Sequence, residues 1–180
     1  MTEVAKMYGG SLYDLAAEEG LEESILTQLD QVTALFGQYP DWLRLLSQSN
    51  IPKKERCALL DEALAPGGVH RYLLNFLKLL CERGSLGEVK GCAREYRRRY
   101  NAAHGILEVT AVSAVPLTPE QTEKLRRKAQ QMTGKAVELT VRLDKRVLGG
   151  IRLELDGVQL DGTVRSRLET LSHRIENTVL

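Results

Sequence analysis

The side chains that could perform catalysis or hold a metal ion are few and dispersed along this chain. The three histidines, His70, His104 and His173, lie far apart in the sequence. None has a cysteine, serine or carboxylate at the spacing of a catalytic triad or a metal site. The sequence therefore predicts no catalytic residues, no metal ion and no cofactor.

The three cysteines lack the spacing of a zinc or redox motif. Cys57, Cys81 and Cys92 form no CxxC pair, and each falls among apolar positions of helical period. An odd number of such residues indicates reduced, buried thiols in a reducing compartment.

Two further features could contact phosphate groups. Gly149-Gly150 has the glycine content of a phosphate-binding loop, but no Lys-Ser/Thr pair and no helix start follow it. The arginine run at 97–99 falls at the end of a predicted helix, where cations complement unpaired carbonyls, and we interpret it as a solvated helix end. The net charge of +1 also argues against a protein built mainly to bind nucleic acid.

The elements that would position these residues divide into two parts. Apolar residues recur with helical period from Val4 to Tyr100, which predicts a bundle of six helices over residues 1–104. Asp41 is the predicted N-cap of a short third helix. The fifth helix, 72–81, is apolar on nearly every side, so we expect it at the centre of the bundle.

The first helix carries an apolar stripe and an unusual pair of glycines. The stripe, which we expect to face the core, consists of Val4, Tyr8, Leu12 and Leu15. Because glycine disfavours helix, Gly9-Gly10 is expected to loosen this helix by about 0.5–1 kcal/mol per glycine.

After residue 104 the apolar period changes from that of a helix to that of a strand. Residues 101–105 have little to pack, so we place a short linker and the domain boundary there. Leu107, Val109 and Ala111 alternate as a strand requires. Thr118, followed by proline and then by Gln121, forms a capping box that marks the next helix start.

Two alternating stretches follow, 137–143 and 151–155, and we expect them to pair as a hairpin with one buried face. Asp156-Gly157 then turns the chain into a return strand, and Asp161 can cap a last helix. The second domain, 105–180, is therefore predicted as βαβββα, and the whole chain as α+β.

No apolar run approaches the roughly 20 residues of a membrane span, and the N-terminus lacks a signal-peptide pattern. We expect a soluble protein in the cytoplasm that can attach to a membrane complex through other proteins.

Several segments occur in the order and spacing of one protein family. The weaker matches are the first helix around Tyr8–Ala16, the segment Asn75–Gly84 and the strand end Val112–Thr118. The most specific motif comprises Gly149 and Gly150 at a strand entry and Asp161, Gly162 and Thr163 before the last helix. Together these segments resemble the delta subunit of F-type ATP synthases, the oligomycin sensitivity-conferring protein family.

The resemblance implies a non-catalytic subunit of the peripheral stalk, or stator, that resists rotor torque during proton-driven ATP synthesis. The N-terminal bundle would bind the N-terminal helix of an alpha subunit of the catalytic head, and the C-terminal domain would hold the b subunits. The protein would lie at the cytoplasmic face of the bacterial cell membrane, attached peripherally as part of the complex, with no nucleic acid as partner.

For these contacts the resemblance and the helical pattern suggest particular residues. An amphipathic helix would lie in a groove formed by Tyr8, Leu12, Leu15, Asn75 and Leu79. Arg165 and Arg167, in the first turns of the last helix, are candidates to contact the b subunits. Two alternatives stay open: an RNA-binding module whose helix arginines face a phosphate backbone, and a free-standing adaptor between proteins.

Overall fold

The structure, a computed structural model, describes residues 2–48, 50–147, 150–155 and 158–161. The chain divides into two compact units, Met1–Tyr100 and Asn101–Leu180. Helices build the first unit, and a small mixed sheet with one helix builds the second. The predicted change from a helical to a mixed architecture is confirmed.

Six of the seven α-helices among the described residues precede the first strand. They are α1 (Glu3–Glu18), α2 (Glu22–Gln38), α3 (Pro40–Ser47), α4 (Lys53–Leu64), α5 (Arg71–Glu82) and α6 (Val89–His104). Short 3-10 turns, Ala65–Gly67 and Leu86–Glu88, precede α5 and α6.

The core of the first unit is one continuous cluster to which each of these six helices contributes. The fifth helix packs against α1, α2 and α4, as its apolar surface predicted. Its buried side chains are Leu73, Phe76, Leu77, Leu80 and Cys81. An apolar surface on several sides lets one helix join several neighbours into a single core.

Two sequence predictions about helix ends are wrong. The N-cap of α3 is Tyr39, with Pro40 at the first helical position, and Asp41 lies inside the first turn. Residues 101–104 are the last turn of α6 and not a linker. Asn101 is only 7% exposed, and its Nδ2 donates a hydrogen bond of 2.7 Å to Glu108 Oε1. That contact stabilises a helical turn whose small side chains alone gave no helix signal.

The second unit is a four-stranded sheet with one helix against it. Its elements are β1 (Ile106–Ser113), α7 (Pro119–Thr133), β2 (Ala136–Leu143), β3 (Ile151–Leu155) and β4 (Val158–Asp161). The strand order is β2-β1-β3-β4, with β1 and β2 parallel and the other two pairs antiparallel. Ala129 of α7 packs with Val109 and Val137 to form the buried centre.

The capping box at the start of α7 is confirmed. The Thr118 Oγ1 accepts a hydrogen bond of 3.2 Å from the Gln121 backbone N–H, and the Gln121 Oε1 accepts one of 2.9 Å from the Thr118 N–H. Each side chain satisfies a helix-end donor of the other residue, so the start of α7 is fixed locally.

The predicted hairpin between residues 137–143 and 151–155 is wrong. Each of these strands pairs with β1, one on either side, so β1 separates them. The helical crossover through α7 places β2 parallel to β1, and β3 then returns antiparallel on the other edge of β1. The antiparallel pair formed by consecutive strands is instead β3 with β4.

Some predictions lie outside the described residues, among them the Asp156-Gly157 turn and the last helix. Within the described ranges, no helix is long and apolar enough to cross a lipid bilayer.

Candidate functional site

The residues predicted to form a groove lie on two helices that contact each other, α1 and α5. Leu15 is 37% exposed and Leu79 is 38% exposed, although both helices contribute to the core. Tyr8 packs partly against the core, and Asn75 is exposed. Leu12 is only 3% exposed and belongs to the core of the first unit. We call Tyr8, Leu15, Asn75 and Leu79 the α1/α5 surface.

The orientation of α1 explains why two of its apolar side chains reach the surface. Its buried residues are Ala5, Gly9, Gly10, Leu12 and Ala16, which have smaller side chains than the predicted stripe and share only Leu12 with it. A Cβ atom placed on Gly9 would lie 2.4 Å from the carbonyl oxygen of Cys92 in α6. The glycine therefore allows close approach of α1 to α6, while Leu15 stays exposed and Tyr8 partly exposed.

This close approach changes the interpretation of the glycine pair. A Cβ on Gly10 would meet the Arg99 guanidinium at 2.4 Å, and one on Gly91 would meet the Ala5 Cβ at 2.8 Å. Besides lowering helix propensity, the two glycines have a packing role that the sequence analysis did not predict, because absent side chains on both helices are needed for the contact. The spacing of small residues in both helices was the signal that the sequence analysis missed.

The arginine run at 97–99 is engaged in ion pairs within the first unit. Arg97 pairs with Asp30 of α2, and Arg99 Nη1 lies 2.8 Å from Asp14 Oδ1 of α1. Arg98 and Arg99 both donate to Glu95, at 2.7 Å and 3.1 Å. Arg97 and Arg99 join α6 to two other helices, whereas the Arg98 side chain is 63% exposed and pairs with Glu95 of the same helix. The interpretation of a solvated helix end therefore fits Arg98 and not the whole run.

Glu95 is the buried centre of that network. Its side chain is 2% exposed, and hydrogen bonds from Arg98 lower the pKa of its carboxyl although burial acts in the opposite direction. A carboxylate that accepts several charge-assisted hydrogen bonds stays ionised inside a protein. The result is a fixed arrangement of α1 against α6.

Helix α5, which carries the other half of the α1/α5 surface, is anchored on two sides. Lys78 Nζ lies 2.6 Å from Asp61 Oδ1 of α4. At the N-terminus of α5, the His70 Nδ1 accepts a hydrogen bond from the Tyr72 N–H, and the His70 N–H donates to Gln28 Oε1 at 2.7 Å. These contacts hold α5 in place, so the α1/α5 surface is preorganised in the free chain.

The thiols are poorly suited to nucleophilic chemistry. Burial raises the pKa of Cys92 to about 11, and it also raises the pKa values of Cys57 and Cys81. A raised pKa keeps the thiol protonated near neutral pH, whereas the thiolate is the nucleophile. Among the residues that the structure describes, no three His, Cys, Asp or Glu side chains come together as a metal-binding group.

In the second unit, most of the predicted site residues lie outside the described ranges: Gly149, Gly162, Thr163, Arg165 and Arg167. Asp161 is the last residue of β4, in register with Arg152. Gly150 is exposed and has φ of 84°. Residues with a side chain rarely adopt this backbone conformation, so the position favours glycine.

Comparison with known proteins gives one consistent result. The sequence model of the family described as "ATP synthase delta (OSCP) subunit" matches residues 4–175. The chain is 30% identical over 168 residues to an ATP synthase subunit delta of Agrobacterium fabrum, covering 93% of this chain and 89% of that protein. It is 30% identical over 175 residues to the subunit delta of Desulfatibacillum aliphaticivorans, covering 97% and 96%.

The fold also matches that of a chain in a solved structure. A chain in the cryo-EM structure of the Toxoplasma gondii mitochondrial ATP synthase hexamer superposes with a TM-score of 0.77, covering 97% of this chain and 98% of that one. The two sequences are 15% identical, so this likeness concerns the fold alone.

Proposed function

Because the chain belongs to the ATP synthase delta (OSCP) subunit family, and so is a stator-linking subunit of an F-type ATP synthase, we propose that it connects the catalytic head to the peripheral stalk through one surface on each unit. The observation that carries the proposal is the family match over residues 4–175, which includes both units. A stator subunit must hold two neighbours at once to resist rotor torque, and two compact units can provide two separate surfaces.

The first unit binds the N-terminal helix of an alpha subunit at the α1/α5 surface. Leu15 and Leu79 keep more than a third of their surface exposed, on helices held by the Glu95 network and the Lys78–Asp61 pair. An amphipathic helix would cover these side chains with its apolar face. Since full burial of a leucine contributes about 1.5–3 kcal/mol, covering the exposed part of two adds about 1–2 kcal/mol, and contacts along the rest of the helix must supply more.

The second unit holds the C-terminal ends of the b subunits. This assignment, and the position of the protein at the cytoplasmic face of the bacterial membrane, follow from the family role. The chain attaches to the membrane indirectly, through the complex, and contributes no catalytic step and no cofactor of its own.

The first unit offers little support for RNA binding. Its most basic segment, 97–99, is joined to the carboxylates of Asp14, Asp30 and Glu95. Arginines engaged in this way do not supply the unpaired positive surface from which nucleic-acid binding gains most of its affinity. The stator proposal instead predicts apolar contacts whose strength changes little with salt.

The test measures binding of an alpha-subunit N-terminal peptide to the whole chain by calorimetry. Leu79→Asp should weaken binding at least tenfold, about 1.4 kcal/mol, because a carboxylate replaces an apolar contact. Leu45→Asp is the matched control, since Leu45 is 39% exposed but lies on α3. Equal peptide affinity in the two variants would show that the helix binds elsewhere.

A further inference from the structure

Two large apolar side chains lie exposed at the same end of the second unit. Val115 is 63% exposed and Leu143 is 57% exposed. Val115 follows β1 by two residues, and Leu143 is the last residue of β2. Since β1 and β2 are parallel, both residues lie at the carboxyl ends of neighbouring strands.

Backbone contacts hold these two segments together. Ser113 and Leu143 are partners in the β1–β2 register. The Ser113 carbonyl accepts a hydrogen bond of 2.9 Å from the Asp144 N–H, and the Ser113 Oγ accepts one of 3.4 Å from the Val115 N–H. Ser113 thus brings the backbone at both exposed residues to the same strand end.

A basic turn borders this surface. Asp144 Oδ1 accepts a hydrogen bond of 3.0 Å from the Arg146 N–H, and the Val147 N–H donates to the Asp144 carbonyl at 3.1 Å. Val147, the last residue of the turn, is buried, with 7% of its surface exposed. Lys145 and Arg146 are therefore presented on an ordered loop beside Leu143, and both are exposed. We call Val115, Leu143 and this turn (144–147) the strand-end patch.

We infer that the strand-end patch is the docking surface of the second unit for an amphipathic segment that carries carboxylates beside its apolar residues. The inference rests on the proposed function, since it assigns this segment to the peripheral stalk. An apolar centre beside fixed cations matches a partner of that composition, because apolar burial supplies affinity and opposite charge sets register and association rate. Arg146 is already paired with Asp144, so Lys145 provides the charge without a partner among the described residues.

Another exposed apolar side chain of this unit provides a control. Met132 is 65% exposed near the end of α7. Because α7 connects the end of β1 to the start of β2, Met132 lies towards the amino end of β2, away from Leu143. Replacing it tests exposure alone, without changing the strand-end patch.

The experiment measures binding of a peptide from the C-terminal end of the b subunit of the same enzyme to the whole chain. Leu143→Asp should weaken binding at least about tenfold, while Met132→Asp should change it less than about twofold. Lys145→Glu should weaken binding at low salt, and the loss of affinity should become smaller at high salt. The control Lys124→Glu, on the exposed side of α7, should leave the affinity unchanged at both salt concentrations. Amide exchange of β1 in each variant verifies that the second unit stays folded.

Each outcome decides one question. If the unmodified chain does not bind the peptide, the proposed role of the second unit fails, and the inference about the patch fails with it. If the unmodified chain binds and Leu143→Asp and Lys145→Glu bind equally well, the patch is refuted while the proposed function stands. Loss of binding in Arg165→Glu with none in Leu143→Asp would place the docking surface at the last predicted helix.

Discussion

Replacing Gly9 by alanine should destabilise the first unit, although alanine is the better helix former. The added Cβ would lie 2.4 Å from the Cys92 carbonyl oxygen and 2.9 Å from its Cα. Ordinary carbon–oxygen contact requires a separation larger by about 1 Å, and the obstacle is backbone, which cannot rotate away. Overpacking of this kind costs about 1–3 kcal/mol, whereas the helix propensity gained is about 0.5–1 kcal/mol. We therefore expect a net loss of about 1–2 kcal/mol in the free energy of unfolding.

Gly37 of α2 is the matched control for this experiment. It lies in a helix, and a Cβ placed on it meets nothing within 4 Å. Gly37→Ala should therefore stabilise the same unit by up to about 1 kcal/mol through helix propensity alone. The two substitutions are chemically identical and are expected to have opposite signs.

The assay is chemical denaturation followed by tryptophan fluorescence. Trp42 is the one tryptophan of the chain, and it contacts Phe36 with a ring separation of 5.2 Å, so its signal reports on the first unit. If Gly9→Ala raises stability as Gly37→Ala does, the close contact between α1 and α6 is not as described. The explanation of why Leu15 stays exposed on α1 would then lose its main support.

Two further predictions concern the charge network and the second unit. Because hydrogen bonds lower the pKa of Glu95 in the folded state, the stability that it contributes is present above its ordinary value of 4.5 and is lost as pH falls below that value towards the folded pKa. Glu95→Gln should cost about 1–3 kcal/mol at neutral pH and flatten the acid side of the stability profile, and an unchanged profile by fluorescence would contradict the role of the network. In the second unit, Gly150→Val should cost about 1–2 kcal/mol because valine tolerates φ of 84° poorly, and Gly150→Asn should cost less. Amide exchange of β1 measures both, and equal protection in the two variants would contradict the backbone argument.

Local signals in the sequence were sufficient where a few neighbouring residues determine the structure. The capping box of Thr118 and Gln121 is formed by side chains three residues apart, and it starts α7 as predicted. The apolar surface of α5 likewise predicted a helix with neighbours on several sides. In both cases the information lies within one element.

Most of the wrong predictions depended on contacts between elements, whereas the N-cap of α3 was misplaced within a single helix start. The alternation of apolar and polar residues predicted which residues of β2 and β3 share a face, but it does not show which strand lies beside each of them. In the structure both strands pair with β1. The run at 97–99 appeared solvated because Asp14 and Asp30, its partners, are distant in the sequence.

The candidate site shows the same division between local and tertiary information. Helical spacing correctly identified Tyr8, Leu15 and Leu79 as apolar members of two helices. How far Tyr8 and Leu15 are buried depends on how α1 packs against its neighbours, and the missing side chain at Gly9 allows its close approach to α6. The strand-end patch was not predicted, because its two apolar residues come together only when β1 and β2 are parallel.

The most direct test of the account is to strip this chain from its ATP synthase and measure proton-driven ATP synthesis after adding it back. We expect the unmodified chain to rejoin the complex and restore synthesis. Leu79→Asp should instead fail to retain the catalytic head, while the ATP hydrolysis rate of the isolated head stays the same with or without the chain. If the stripped complex synthesises ATP at the full rate, or if the purified chain itself turns over a substrate, the claim that this protein mechanically connects the catalytic head to the peripheral stalk is contradicted.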